Sequence, residues 1–304
     1  MKESTFSAYR GYPVHLYVWD DVPAPKGVVQ LVHGMCEHLG RYDEFARFLN
    51  EAGYIVLGDD HRGHGKTCAD KPLGVVPDGD CFEDTVQDEI LITAYAKQTW
   101  GLPVVLFGHS YGSFLSQRYI QLNSSEIVAC VLCGSAKQDT PDVDLGKRVA
   151  TMQTALFGKD KPAKMIRKLS FGDYDKQFTD REVGFAWGNR DPEERKKYLA
   201  DPLCDQTMSL GFYKSFFTAL KNLYREDRLA GVRKDLPIYI VSGDKDPVGG
   251  SGKLVTRLYE MYKELGADKA EIKLYPDARH ELLNELNKRE VYADVLEFII
   301  KSNR

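Results

Sequence analysis

The stretch 102–119, LPVVLFGHSYGSFLSQRY, decides how the rest of the chain is read. Val104, Val105, Leu106 and Phe107 form a short continuous apolar run, the pattern of a central parallel strand covered on both faces. Gly108-His109-Ser110-Tyr111-Gly112 follows, and then Phe114, Leu115, Tyr119 and Leu122 recur at helical spacing. A strand, a tight G-x-S-x-G turn and a helix, in that order, put the Ser110 hydroxyl at the apex of the turn. Such a turn crowds the positions two before and two after the serine, which is where Gly108 and Gly112 stand without a Cβ. Backbone N–H groups at the helix start, together with the positive end of its dipole, favour an oxyanion there. Ser110 is therefore read as a nucleophile.

On either side the chain alternates strand and helix. Residues 14–19 and 27–32 read as strands, and an amphipathic helix follows with Tyr42, Phe45, Leu49 and Ala52 on one face, closed by Gly53. Tyr54 to Leu57 is the next strand, running into the turn-rich Asp59-Asp60-His61-Arg62-Gly63-His64-Gly65. Val86, Ile90 and Ala94 mark a helix leading back to the strand of Ser110, and Ile127 to Cys133 is the strand after it. This alternation builds a parallel sheet through right-handed crossovers. From Lys137 to Arg228 the sequence turns helical and charged with no convincing strand; Pro237 to Val241 then resumes the sheet. Within that interval Asp191 reads as an N-cap, with Pro192 in the first turn, Glu194 closing a capping box and Asp201-Pro202 ending the helix. A helix over 252–265, a strand over 271–275 and a terminal helix with Val291, Val295, Phe298 and Ile299 inward complete the chain. The expected organisation is a core over 1–136, a helical cap over 137–228, and the rest of the core over 229–304.

Composition excludes several classes. With 304 residues, 43% hydrophobic and 28% charged, the chain has ordinary globular usage and enough length for one large core carrying an insertion. A net charge of -4 leaves no footprint for nucleic acid. No run approaches the roughly 20 apolar residues that span a bilayer, and the N-terminus lacks the apolar region of a signal peptide. The six cysteines form no compact framework, as in a reducing compartment, so a cytoplasmic location is expected. Cys130 and Cys133 make a C-x-x-C inside an apolar strand, where they would point to opposite faces as buried structural residues.

A serine hydroxyl needs a base within hydrogen-bond reach and a carboxylate to orient that base. Of seven histidines, only His280 follows the helical interval, on the loop leaving the last strand at its C-terminal end. The order Ser, Asp, His is that of the α/β-hydrolase fold and selects His280. In Ser242-Gly243-Asp244-Lys245-Asp246-Pro247 two aspartates compete for the acid. Asp246 is preferred because it lies past the turn and can reach an imidazole, leaving Asp244 to cap the turn. Tyr111 N–H and a second N–H from the loop after the early strand, that of Met35, make the oxyanion hole. Cys36 and His109 are placed in the wall of the substrate pocket.

HGMCEHLGRY (33–42), DDHRGHG (59–65), GHSYG (108–112), SGDKDPV (242–248) and ARHELLNE (278–285) together resemble the monoacylglycerol lipase and lysophospholipase branch of the α/β-hydrolases, an S33-like group. The likeness extends over the core on both sides of the helical interval. It implies the α/β-hydrolase fold, a mostly parallel central sheet flanked by helices with an inserted helical cap. It implies Ser110 as nucleophile, Asp246 as acid, His280 as base, Met35 and Tyr111 as oxyanion donors, and a cap that admits one acyl chain. Tyr111 replaces the methionine common after the nucleophile and Cys36 stands where a small residue is usual, so the two departures adjoin the pocket.

Other chemistries fit less well. His33, Glu37 and His38 miss the spacing of a helical zinc site and fall in a loop, where they are expected to brace the oxyanion loop by hydrogen bonds; no metal or organic cofactor is expected. His61 and His64 are expected to hold a turn with Gly63 and Gly65. A peptidase of the S33 kind would need an acidic anchor for a free amine, for which Glu37, Asp173 and Glu182 are candidates. A ligand-binding protein on the same scaffold would have no need of matched acid and base. Leu145, Val149, Met152, Leu156 and Phe157, and likewise Phe212, Phe216, Phe217 and Leu220, fall at helical spacing in the interval. Such faces would suit a lipid ester and transient contact with a micelle or membrane, or would pack the cap onto the core.

Overall fold

The computed structural model describes residues 1–69 and 71–303. Its strands are β1 (Lys2–Ser7), β2 (Pro13–Trp19), β3 (Gly27–Val32), β4 (Tyr54–Asp60), β5 (Val104–His109), β6 (Ala129–Cys133), β7 (Ile238–Gly243) and β8 (Ala270–Tyr275). They form one sheet in the order β1-β2-β4-β3-β5-β6-β7-β8. From β4 to β8 along the sheet every pair is parallel, while β1 and β2 run antiparallel at one edge. Helices α1 (Asp43–Glu51), α2 (Cys81–Trp100) and α3 (Tyr111–Asn123) connect the parallel strands up to β6. Between β6 and β7 lie α4 (Pro141–Phe157), α5 (Lys164–Phe171), α6 (Pro192–Ala200), α7 (Leu210–Leu223) and α8 (Glu226–Leu229). Helices α9 (Lys253–Glu264) and α10 (Lys288–Ser302) flank β8 in sequence. This is the α/β-hydrolase architecture expected of the sequence.

The apolar run of β5 divides between the two faces of the sheet. Val104 and Leu106 join the layer beneath α2, α3 and α9, while Val105 and Phe107 join the layer beneath α1 and α10. Period-two alternation is thus present, but both faces are apolar because both are covered. Cys130 and Cys133 fall in opposite layers, as expected, and among the described residues all six cysteines are free.

Several local expectations are corrected. β1 has no apolar alternation: apart from half-buried Phe6 it is exposed, an edge strand whose charges blunt further pairing. β4 runs on through Asp59 and Asp60, which carry fully buried carboxyls inside the sheet and not in a turn. In α2 the inward face holds Val86, Glu89, Thr93 and Ala96, with Ala94 exposed, because buried polar side chains at 89 and 93 disguise the stripe. In α3 Leu122 faces solvent. The α6 capping box does not close: Asp191 caps the Glu193 and Glu194 N–H groups, but its own N–H donates to Asn189 Oδ1, and Glu194 turns to Lys197 and Lys288.

The two apolar faces of the interval part company. In α7, Phe212, Phe216 and Leu220 are buried, with Phe216 against Phe82 and Phe114 of the core. In α4, Leu145, Met152, Leu156 and Phe157 are 59%, 55%, 67% and 59% exposed. No helix among the described residues is long and apolar enough to cross a membrane.

Candidate active site

The turn after β5 holds Ser110 at φ 52 and ψ -118, a strained backbone that the neighbouring packing has to enforce. A Cβ on Gly108 would stand 2.2 Å from Ser116 Oγ, and one on Gly112 would stand 2.1 Å from the Val32 carbonyl, so both positions require glycine. The Ser110 N–H donates to the Cys133 carbonyl at 2.9 Å, pinning the turn to β6. Met35 lies on the loop after β3, and among the described residues neither its N–H nor that of Tyr111 donates a hydrogen bond. Gly34, before Met35, is crowded: its Cβ would lie 2.6 Å from Glu37 Oε1 and 3.3 Å from Ser110 Cβ.

His280 comes from the loop after β8 and Asp246 from the turn after β7. His280 Nε2 lies 2.8 Å from Ser110 Oγ, and Nδ1 lies 2.9 Å from Asp246 Oδ2. The Asp246 carboxylate also accepts from Ser242 Oγ and from the Val248 N–H, so the Nδ1–H tautomer is enforced and Nε2 is free to accept the serine proton. Burial disfavours both charges, yet each partner outweighs it: His280 is held above its ordinary value and Asp246 below its own. Asp244, the competitor, accepts from the Asp277 N–H and stays in its turn.

His109 is buried with its ring 4.9 Å from that of His280; burial, and then the neighbouring imidazole, push it down to about 4, so it is neutral at physiological pH. Both His109 and Cys36 border the main cavity. Burial pushes the Cys36 thiol up to about 12, and its S–H donates to the Gln206 carbonyl, so it is no activated thiolate.

Glu37 braces the loop after β3 by hydrogen bonds, as expected, whereas its partners and those of the histidine loop are not singled out by the sequence. Glu37 accepts the Gly34 N–H at 2.6 Å and the Tyr42 hydroxyl, and pairs with Arg41, which also reaches Glu281 beside the histidine. His33 braces the loop as expected, through Gly34 O, but His38 pairs with Asp201 at the end of α6. His64 Nδ1 meets the Arg62 carbonyl within the turn. Residues 186–190 lie along the histidine loop: Arg279 donates to Ala186 O, His280 N–H to Trp187 O, Glu281 N–H to Gly188 O, and Asn189 to Glu281. Such anchors are ordinary charged and amide residues in the sequence, and only their burial marks them.

A cavity of about 950 Å³ opens above Ser110, bounded by Phe114, Val143, Val149, Leu169 and Phe217 as well as by Met35 and His280. A family model described as "Serine aminopeptidase, S33" matches residues 23–287. The chain belongs to that family. Among similar members, the monoacylglycerol lipase of Mycolicibacterium smegmatis is 30% identical over 302 residues, covering 98% of this chain and 96% of that protein. The monoglyceride lipase of Homo sapiens is 28% identical over 270 residues, covering 88% and 80%. A thermostable carboxyl esterase from Bacillus coagulans, solved in complex with glycerol, superposes with a TM-score of 0.91 at 25% identity, covering 100% of this chain and 99% of that one.

The peptidase name of the S33 family prompts a check of the three acids that would anchor a free amine. Glu37 is consumed by Gly34, Tyr42 and Arg41. Asp173 is solvent-exposed and paired with Lys176, and Glu182 is exposed. None offers this S33-family chain a buried carboxylate waiting for an ammonium group.

Proposed function

We propose that this carboxylic ester hydrolase cleaves lipid esters with a single acyl chain, of the monoacylglycerol or lysophospholipid type, through an acyl-enzyme on Ser110. The cavity carries the reading: about 950 Å³ of largely apolar space, at the upper end for small-molecule sites, meets the serine hydroxyl at one wall. Relatives named for monoacylglycerol support it. Ser110 Oγ attacks the ester carbonyl as His280 Nε2 takes its proton, and Asp246 stabilises the imidazolium. The Met35 and Tyr111 N–H groups receive the tetrahedral oxyanion. Collapse expels the alcohol with the proton from His280; water, deprotonated by the same nitrogen, then attacks the acyl-enzyme and releases the fatty acid and Ser110. The proton moves through groups already in hydrogen-bond contact, Ser110, His280 and Asp246.

Residues 137–228 form the cap in this reading. The outward apolar side chains of α4, with Lys147 and Arg148 among them, suit transient contact with a micelle or membrane surface. The free cysteines support a reducing, cytoplasmic setting. A panel of p-nitrophenyl esters of graded chain length, run beside monoacylglycerol, lysophospholipid and aminoacyl-anilide substrates, tests the reading. The highest kcat/KM is expected on a long-chain monoacyl lipid; an anilide turned over faster than any ester overturns it.

A further inference from the structure

The cavity above Ser110 is not apolar all round. One stretch of its wall is polar, built by Arg167 of α5, by Asp205 and Thr207 ahead of α7, and by Tyr213 of α7. The Asp205 N–H donates to the Cys36 carbonyl at 3.0 Å, and the Cys36 thiol donates to the Gln206 carbonyl at 3.0 Å. This stretch is thereby stitched to the residue that follows Met35. Within it the Arg167 guanidinium is already engaged: it donates to the Asp205 carbonyl at 3.0 Å and to Thr207 Oγ1 at 3.2 Å, and pairs with the Asp205 carboxylate. Tyr213 stands apart. It is 1% exposed, its ring stacks on that of Phe217 one turn along α7, and it borders the cavity, yet its hydroxyl has no partner among the described residues. A buried hydroxyl without a hydrogen bond costs stability, and in a cavity wall a ligand can supply the bond.

The rest of the cavity gives that ligand a direction. Phe114, Val143, Val149 and Phe217 make an apolar side that suits an acyl chain, so the few polar groups opposite are left for what the alcohol carries. The sign of the polar stretch narrows the alcohol further. Asp205 cancels the charge of Arg167, and its carboxylate repels a phosphate brought beside it. Lys164 and Lys168 also border the cavity, but both are exposed and screened by solvent. Neutral hydroxyls give and accept at once, which matches a phenol, a threonine and an ion pair. We propose that Tyr213, with Thr207 and the Arg167–Asp205 pair, is the specificity-determining site for the alcohol part of the ester and selects a neutral, hydroxyl-bearing head group over one carrying phosphate. This rests on the single-chain ester reading and chooses between the two lipid types that reading admits.

Three esters of one acyl chain test the proposal: octanoylglycerol, its phosphate monoester, and propyl octanoate, which keeps the carbon skeleton and loses both hydroxyls. Wild-type kcat/KM should be highest on octanoylglycerol, by at least about tenfold over either of the others. Tyr213→Phe should shrink the ratio of octanoylglycerol to propyl octanoate about 5- to 10-fold, the equivalent of one hydrogen bond. Its melting temperature should stay level or rise, because the free protein loses no bond. Asp205→Asn keeps a side chain that tolerates the φ of 59 found there, and should raise the ratio of phosphate ester to octanoylglycerol about 2- to 5-fold. A wild-type preference for the phosphate ester, an unmoved ratio in either variant, or a lowered melting temperature in Tyr213→Phe overturns the proposal. A binding arm keeps the ester reading separate. Octylglycerol ether has no ester to cleave, and its Kd by calorimetry should weaken about 5- to 10-fold in Tyr213→Phe. That shift with none of the three esters hydrolysed would sink the hydrolase reading alone, whereas equal Kd values overturn the head-group site.

Discussion

The indole of Trp187 lies 5.1 Å from the imidazole of His280, centroid to centroid, and the Trp187 carbonyl accepts the His280 backbone N–H at 3.3 Å. A residue between α5 and α6 therefore holds the imidazole that follows β8. Trp187→Ala should reduce kcat/KM on a soluble ester by about 2- to 12-fold, the equivalent of an aromatic contact of about 0.5–1.5 kcal/mol. Trp187→Phe should keep most of the activity. Steady-state kinetics decide, and an unaltered Ala variant removes the role.

Ser110→Ala leaves the fold intact, because its Cβ and backbone remain, and should cost roughly 10⁴- to 10⁶-fold in kcat. Circular dichroism alongside ester hydrolysis checks both halves. Activity within about tenfold of wild type would reject the nucleophile assignment.

The pH profile follows from the raised His280. Only the neutral imidazole accepts the serine proton, so kcat/KM should rise with pH through a midpoint above 6.5, the ordinary value. Asp246→Asn removes the charge that lifts it, moving the midpoint down and lowering kcat about 10⁴-fold. On stability the two groups act with opposite sign. The depressed Asp246 contributes stability present above 3.8, its ordinary value, and lost as pH falls through the lower folded value. The raised His280 contributes stability fully present below 6.5 and lost as pH climbs through the higher folded value. Thermal melts should therefore show the wild-type advantage over Asp246→Asn shrinking toward alkaline pH.

Leu156 and Phe157 project from the end of α4 and do not border the cavity. Replacing both with serine should slow hydrolysis of vesicle-borne substrate about tenfold, since each buried side chain is worth about 1.5–3 kcal/mol and insertion would be partial. Rates on a water-soluble ester should stay within about twofold. Equal losses on both substrates would argue against surface contact.

Where apolar periodicity and turn chemistry coincide, the sequence is legible. The run before Ser110, the glycines at 108 and 112 and the order of Asp246 and His280 foretell a parallel sheet and three side chains now in hydrogen-bond contact. Buried polar residues are not legible in the same way. Glu89 and Thr93 shift the apparent face of α2, and Arg41 and Glu281 read as surface charge until their pairing with each other, and that of Arg41 with Glu37, is seen. Charge normally signals solvent, and only the tertiary fold reveals a partner that compensates its burial. β1 is hidden for the converse reason: as an exposed edge it needs no apolar pattern to pair with β2. Likewise, α4 and α7 carry similar apolar spacing, and nothing local says which of them the core will cover.

Synthesis delivers Ser110 long before its base, since 170 positions separate Ser110 from His280. A nascent polypeptide emerging from the ribosome thus carries this hydroxyl without its imidazole partner until β8, the last strand to be made, has docked beside β7. On the proposed mechanism, products that stop short of residue 280 lack the base and should hydrolyse no ester, so that the first turnover would mark a finished molecule.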